Sequence, residues 1–379
     1  MYDIIVIGSG FAGAVLAGKA AREQGKKVLV IEKRDHIGGN CYDLKDEHGI
    51  LIHKYGPHIF HTNNKEVYDY LSQFTEWYNY SHEVLARVDG EYIPVPFNLN
   101  TLKKVYGDKA EKLKQKLIAR YGYGKRVPIL ELRSCEDKDI ADIAEYVYNN
   151  IFLKYTMKQW GQTPEEIDPS VTARVPVLIS EDNRYFQDEY QGLPLEGYTR
   201  IFEKMLNHPN ISVRLMEDAK NHLKFEEDGI KYDGRYYDGD IVYTGALDEL
   251  FDCKFGRLPY RTLDFETEYL TKDSYQPAAV VNYTVDEAFT RITEYKKLTG
   301  QEVAGTTIMK EYSRAYTGRD KEIPYYAIIN EENLDLYKKY VELVDEYENF
   351  YLLGRLAEYK YYNIDGIVEK ALKLADEIK

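Results

Sequence analysis

Asp3-Ile4-Ile5-Val6-Ile7-Gly8-Ser9-Gly10-Phe11-Ala12-Gly13 opens the chain. Apolar residues at helical spacing follow from Ala14 to Gln24, then Gly25 as a helix stop and Lys27-Val28-Leu29-Val30-Ile31-Glu32. The apolar runs 4–7 and 28–31 are strand-length and the stretch between them is a helix, so the unit reads strand–turn–helix–strand with a GxGxxG turn. Each glycine has its own reason: Gly8 permits the tight turn, Gly10 lets a pyrophosphate reach the backbone, and Gly13 lets the helix lie close on the strand. The helix N-terminus offers free N–H groups and a partial positive charge to phosphate. Glu32 ends the second strand, where a carboxylate suits a ribose 2′-hydroxyl and repels a 2′-phosphate. The reading is a dinucleotide-binding unit that disfavours NADP.

Outward from this unit, Lys33-Arg34-Asp35-His36-Ile37-Gly38-Gly39-Asn40 adds a second glycine pair just after the acid. This resembles FAD proteins of the glutathione-reductase-like superfamily. No second GxGxxG for a nicotinamide nucleotide is present, and Cys41, Cys135 and Cys253 are far apart. A dithiol redox pair, a disulfide framework and a zinc site are not expected. Residues 65–161 read as mostly helical (67–74, 101–121, 140–153), with a short β-ribbon at 90–96. From about residue 171 strands dominate: 175–179, 263–269, 279–283 and 305–309. A helix is expected at 194–206. Strands at 212–215, 223–225, 229–232 and 240–244 are expected to return to the nucleotide unit. A strand at 351–353 and a final helix at 364–378 complete it. Tyrosine-rich segments 183–198 and 312–326 read as loops facing a cleft.

The 379 residues suggest about two or three structural units. Hydrophobic content of 44% with 30% charged residues is that of a folded globular protein. A net charge of −14 argues against a general nucleic-acid or anionic-membrane binder, so an anionic ligand needs a local basic pocket. No apolar stretch is long enough to span a membrane, and no leader signal precedes Ile4; a cytoplasmic chain is expected. There are 37 tyrosines against 13 phenylalanines and 2 tryptophans; most serve packing, and a minority suit a polar cleft that needs both a ring face and a hydroxyl.

Taken together and in this order, GSGFAGA at 8–14, IEKRDHIGGN at 31–40, HKYGPHIFHTN at 53–63, PFNLNT at 96–101 and YTMKQWG at 155–161 resemble bacterial UDP-galactopyranose mutases. The likeness continues through Arg174 in TARVPV, NRYFQDEYQGLP at 183–194, RITE at 291–294, IPYY at 323–326 and GRLAEYKYYNID at 354–365. It implies a mixed α/β fold: a Rossmann-like FAD-binding domain (1–64, 195–250, 340–379), a mainly helical domain (65–170) and an antiparallel sheet domain (171–194, 251–339). A mobile loop at 174–194 and a homodimer are implied too. The implied activity is interconversion of UDP-galactopyranose and UDP-galactofuranose for surface glycans, with no net redox change. In it N5 of reduced FAD attacks the anomeric carbon, UDP leaves, and a flavin–sugar iminium allows ring opening and reclosure. The reductant is unidentified, and neither a metal, a nucleic acid nor a membrane is called for.

The resemblance also implies site residues. Arg174 and Arg291 would neutralise the diphosphate with forked hydrogen bonds and stabilise the leaving charge, with His61 as a third catalytic group able to carry a proton. FAD contacts fall on Gly8, Gly10, Phe11, Gly13, Glu32, Gly39, Asn40, His58, His61, Arg355, Ile364 and Asp365. Substrate contacts fall on His82, Phe152, Tyr155, Trp160, Tyr185, Asn282, Tyr326, Tyr361 and Asn363, besides the two arginines. Tyr155 and Trp160 would stack on uracil, and Tyr185, Tyr326 and Tyr361 would reach the diphosphate. Each has a plainer alternative: a surface ion pair for an arginine, core packing for Trp160, turn capping for His58 and His61, pairing with Glu358 for Arg355. Two other classes stay open, a flavin amine oxidase or desaturase and a non-enzymatic relative of GDP-dissociation inhibitors.

Overall fold

A computed structural model describes residues 2–163 and 176–378. Strands β1 (Ile4–Ile7) and β2 (Val28–Glu32) flank helix α1 (Phe11–Glu23). They lie in a five-stranded parallel sheet ordered Ile211–Leu215, β2, β1, Asp240–Tyr243 and Phe350–Leu352. Both faces of this sheet are covered, which is why its central strands read as unbroken apolar runs. Ile4, Val6, Val28 and Val30 pack under α1, the helix Tyr198–Leu206 and the final helix Ile364–Glu377. Ile5, Ile7, Leu29 and Ile31 pack on the opposite side with Tyr260, Tyr340 and Tyr359.

A seven-stranded sheet forms the second layer. Its order is Tyr326–Ala327, Tyr260–Leu270, Thr306–Ala315, Arg291–Glu294, Val280–Tyr283, Val84–Val88 and Glu91–Val95. The expected antiparallel pairing holds except at one seam, where Val84–Val88 runs parallel to Val280–Tyr283. The ribbon expected at 90–96 is the second strand of an edge hairpin here, and its inward residues Val84, Ala86 and Val95 share a core with the helices. Those helices are Leu99–Tyr106, Ala110–Tyr121, Ile129–Arg133 and Lys138–Val147. A π-helical segment, Tyr148–Leu153, then leads into Lys154–Trp160.

Several expectations need revising. Leu223–Glu226 and Gly229–Tyr232 do not join the nucleotide sheet; with Arg235–Tyr236 they make a separate antiparallel meander. The tyrosine-rich segments are not simply loops. Tyr312 lies in the long strand Thr306–Ala315, and Tyr190–Pro194 is a strand pairing with Phe60–Thr62 and Trp77–Tyr78. The helix expected from residue 194 begins at Tyr198, after Gly197 at φ +91°. Glu331–Val341 is a helix the sequence did not announce, capped by the Asn330 side chain accepting from Asn333 N–H. Arg174 and Val175, the first residue of the strand expected at 175–179, lie outside the described residues.

Candidate active site

The first part of the site is a cleft at the carboxyl ends of the parallel strands, where an open α/β sheet binds its ligand. It encloses about 1470 Å³ of open space, its mouth to solvent included. Gly8 stands at φ +103°, and a Cβ there would sit 2.1 Å from Thr244 Oγ1. A Cβ on Gly13 would sit 2.0 Å from the Gly8 carbonyl oxygen, so helix and turn touch with no room for a methyl. The second glycine pair lies on the first: a Cβ on Gly39 would be 3.1 Å from Gly10 Cα. Two side-chain-free turns thus face the cleft together.

Helix α1 begins at Gly10 with no side-chain cap and no acid in its first turn, so its N–H groups point unscreened into the cleft. Glu32 is held by three donors: Ser9 N–H (2.9 Å), Ser9 Oγ–H (2.7 Å) and Arg34 N–H (3.0 Å). Arg34 donates to Asn40 Oδ1 at 2.8 Å and lies over Tyr55, yet its Nη1 is buried with no partner among the described residues. An orphaned guanidinium nitrogen, a bare helix terminus and two glycine turns fit a phosphorylated dinucleotide. Phe11, Gly39, Asn40, His58, Arg355, Asn363 and Ile364 line the same cleft.

Not every expected cofactor residue does. Gly13 serves the packing of α1. Asp365 accepts from Gly366 N–H in the first turn of its own helix, and His61 lies elsewhere. The cleft is also lined by residues that motif reading missed: Arg34, Thr244, Gly245 and Tyr325. Thr244 and Gly245 directly follow the strand Asp240–Tyr243, and that position is a readable signal.

The second part is one face of the seven-stranded sheet. Register places Asn282 opposite Arg291, Arg291 opposite Glu311 and Glu311 opposite Phe265, so these four share a face. The HKYGPHIFHTN segment lies over that row: a Cβ on Gly56 would meet Phe265 at 3.2 Å and Glu311 Oε2 at 3.6 Å. Arg291 Nε lies 3.2 Å from Glu311 Oε1, but off hydrogen-bond alignment, and among the described residues it is a buried nitrogen without a hydrogen bond. Glu311 Oε1 accepts instead from Thr290 Oγ–H at 3.1 Å. Asn282 Oδ1 is likewise buried and unpartnered among the described residues. Burial works against the Arg291 charge. The Glu311 carboxylate, with Tyr155, Tyr326 and Tyr185, outweighs it and holds the guanidinium protonated. A fixed cation and an open acceptor therefore stand side by side.

Aromatic residues close the row. Trp160 and Tyr155 sit on Lys154–Trp160, whose end is fixed by Arg261 donating to the Gln159 and Lys158 carbonyls (3.1 and 3.2 Å). Ser313 Oγ–H also donates to the Gln159 carbonyl, at 2.7 Å, and Gly161 follows at φ +69°. Lys158 donates to the carbonyls of Tyr283, Glu287 and Phe289, joining this helix to the turn before Arg291. Trp160 meets Tyr326 at 5.4 Å, Tyr326 stacks near Tyr361 at 6.2 Å, and the Arg355 guanidinium lies 4.6 Å from the Tyr361 ring. Arg355 donates to the Tyr362 carbonyl at 2.6 Å and does not pair with Glu358, which binds Lys370. Arg355 thus borders both parts. Burial, then Glu311, pushes the Tyr326 hydroxyl up to about 12, and burial also raises that of Tyr155. Both remain neutral donors.

Histidines line the seam. His58 Nδ1 lies 2.9 Å from the Gly56 carbonyl oxygen, and burial followed by the charges of His53 and Arg355 pushes it down to about 3. His82, bonded to the Tyr80 hydroxyl at 3.1 Å, is pushed to about 3 by burial and then by Arg291 and His61. Both are neutral at physiological pH. His61 bonds Asp188 at 2.9 Å. Phe152 belongs to the core of the helical part. Glu311 and Asp188 were invisible to motif reading because long-range strand pairing brings each to its partner.

Fold and site define a class: a Rossmann-like dinucleotide domain whose cleft adjoins, through His58 and Arg355, a sheet bearing a cationic, tyrosine-rich face. A family model described as NAD(P)-binding Rossmann-like domain matches residues 6–74, and one described as UDP-galactopyranose mutase matches 150–361. The chain is 38% identical, over 99% of its length and 94% of the relative's, to a probable UDP-galactopyranose mutase of Klebsiella pneumoniae. It is 38% identical to a dTDP-fucopyranose mutase of Escherichia coli, over 99% and 98% of the two chains. A crystal structure of reduced UDP-galactopyranose mutase superposes with a TM-score of 0.69 at 16% identity, covering 100% of this chain and 95% of that one. The chain belongs to the UDP-galactopyranose mutase family, a family of flavin-dependent isomerases. Its cofactor is FAD.

Proposed function

We propose that the chain interconverts UDP-galactopyranose and UDP-galactofuranose, with FAD required in its reduced form. The observation that carries this is the row Asn282–Arg291–Glu311, which sets a buried, under-bonded cation and an orphan acceptor beside the His58 edge of the cofactor cleft. The reduced flavin, when bound, supplies the nucleophilic N5 toward the sugar's anomeric carbon. Gly8, Gly10, Gly39 and the α1 terminus hold its pyrophosphate, Glu32 a ribose, and His58, Asn363, Ile364 and Arg355 the remainder. Arg291, together with Arg174, holds the diphosphate and stabilises the charge that grows on it as the bond to the sugar breaks. Tyr185, Tyr326 and Tyr361 donate hydroxyl hydrogens to the same oxygens. Trp160 and Tyr155 give the base its stacking faces, while His82 and Asn282 contact the sugar or uridine. The reading includes a cytoplasmic homodimer, an external flavin reductant and a furanose product for surface glycans.

The test is incubation of the FAD-loaded protein with UDP-galactofuranose, with and without dithionite, followed by product analysis, and a parallel arm with dTDP-fucofuranose. Conversion of the UDP-sugar under reduction, at least ~100-fold faster than in air, is expected. Equal rates in air contradict the role of reduced FAD. Turnover of the dTDP-sugar alone transfers the assignment to the substrate named for the Escherichia coli relative.

A further inference from the structure

His61 lies on the strand Phe60–Thr62, directly opposite Gln191. Its ring stacks on Phe186 at 3.6 Å and 11°, and Phe186 in turn faces His82 at 5.9 Å. His82 is close enough to Arg291 to feel its charge, so the three-ring stack leads into the sugar end of the site. On the other edge of His61 a hydrogen-bond chain has a fixed direction. Glu189 N–H donates to Asn63 Oδ1 (2.9 Å), which turns the Asn63 amide so that Nδ2 donates to Asp188 Oδ1 (2.7 Å). The second Asp188 oxygen lies 2.9 Å from His61 Nδ1. An ionised carboxylate only accepts, so the proton of this bond sits on Nδ1. Gln191 Nε2 donates to the carbonyls of Phe186 (3.0 Å) and Asp188 (2.9 Å), fixing the segment that carries both ring and acid. Among the described residues His61 Nε2 makes no hydrogen bond.

We propose that Asp188 is a positioning residue that keeps the His61 proton on Nδ1, leaving Nε2 to carry a proton between the ring oxygen and the 4-hydroxyl of the sugar. This rests on the isomerase reading above. Exchange of pyranose for furanose breaks the bond from C1 to O5 and makes one from C1 to O4. O5 keeps the bonding pair and gains a proton, the 4-hydroxyl loses one, and no electron is gained or lost overall. His61 enters the step with a second proton, on Nε2. It gives that proton to O5 as the ring opens and recovers it from the 4-hydroxyl as the new ring closes, so the histidine is unchanged at the end. Nδ1 stays protonated throughout and bonded to Asp188, so the ring never has to turn.

The test uses the direction of the chain. In Asp188→Asn, Asn63 still donates to one position, which keeps the new amide oxygen there and turns the new NH2 toward His61 Nδ1. The histidine must then accept at Nδ1 and carry its proton on Nε2. Nitrogen-15 NMR of the histidine-labelled holoenzyme should show the two ring nitrogens exchanging character, with kcat down at least ~100-fold and KM within ~2-fold. In the double variant Asn63→Asp/Asp188→Asn the polarity reverses, and the amide oxygen faces His61 again. Ring pattern and most of the turnover should return. Should Asp188→Asn fail to fold, Asp188→Ala, which removes the acceptor without adding a donor, should give a mixture of the two ring forms and lowered kcat. The proposal is overturned by a wild-type ring pattern in Asp188→Asn, by a switched pattern with unchanged kcat, or by no recovery in the double variant. A wild-type holoenzyme that converts no sugar nucleotide under reduction defeats the isomerase reading instead, and the NMR result stands apart from it.

Discussion

Gly8→Ala puts a methyl group 2.1 Å from Thr244 Oγ1 at a backbone angle of φ +103°, and that hydroxyl is held by its bond to the Ile7 carbonyl. Overpacking with positive-φ strain costs about 2–4 kcal/mol, so the variant should lose bound flavin and unfold several degrees lower, readable as the ratio of flavin to protein absorbance with Tm. Gly25→Ala has open space around it and should keep its flavin at a cost of about 1 kcal/mol for the positive φ. The glycine roles were legible from sequence because the motif is local and each constraint lies within a few residues. Arg291 is a different kind of residue. Its opposition to Glu311 and Asn282 depends on three strands meeting in register, so the sequence could offer it only through family likeness. Arg291→Ala leaves the buried Glu311 carboxylate without its cation and removes charge from the leaving group; kcat should fall by ~100-fold or more. A loss below tenfold would move the diphosphate elsewhere.

Lys154–Trp160 is a seven-residue helix, too short to hold its own geometry. Its orientation comes from Arg261 and Ser313, which reach it from the sheet, and from its own Lys158, which reaches out to the turn before Arg291. Arg261→Met removes two charge-assisted bonds to the last turn while keeping the side-chain length. We expect UDP affinity to weaken ~10-fold with flavin content unchanged, measured by titration calorimetry; equal affinity would show that Trp160 needs no such anchor. Helical periodicity did locate the segment before it, expected to run as one helix from 140 to 153. A π segment and a fresh start at Lys154 were not legible, since only contacts such as Thr284 Oγ–H to the Asn150 carbonyl distinguish them. The parallel seam between Val84–Val88 and Val280–Tyr283 was hidden for the same reason, as alternation gives a strand its faces but not its partner.

At the scale of the whole molecule, the buried histidines His53, His58 and His82 are each pushed to about 3 chiefly by burial. Their ordinary value in the unfolded chain is about 6.5. The folded state therefore refuses protons that the unfolded state takes up, and the stability present above pH 6.5 drains away as pH falls toward 3. With three such groups the slope reaches about 4 kcal/mol per pH unit below roughly pH 6. Tm should be level from pH 7 to 8 and drop steeply from pH 6 to 5; a flat profile down to pH 5 would mean that these rings meet water. The acidic net charge said nothing of this, because it is the seam between the histidine segment and the sheet that dries them. Beside that seam the nucleotide diphosphate should lie on the sheet face, next to the cofactor cleft. A crystal structure of the FAD-bound protein with UDP tests this directly. The diphosphate should be hydrogen-bonded to Arg291 with uracil against Trp160, whereas UDP seated away from the Asn282–Arg291–Glu311 row would contradict the assignment.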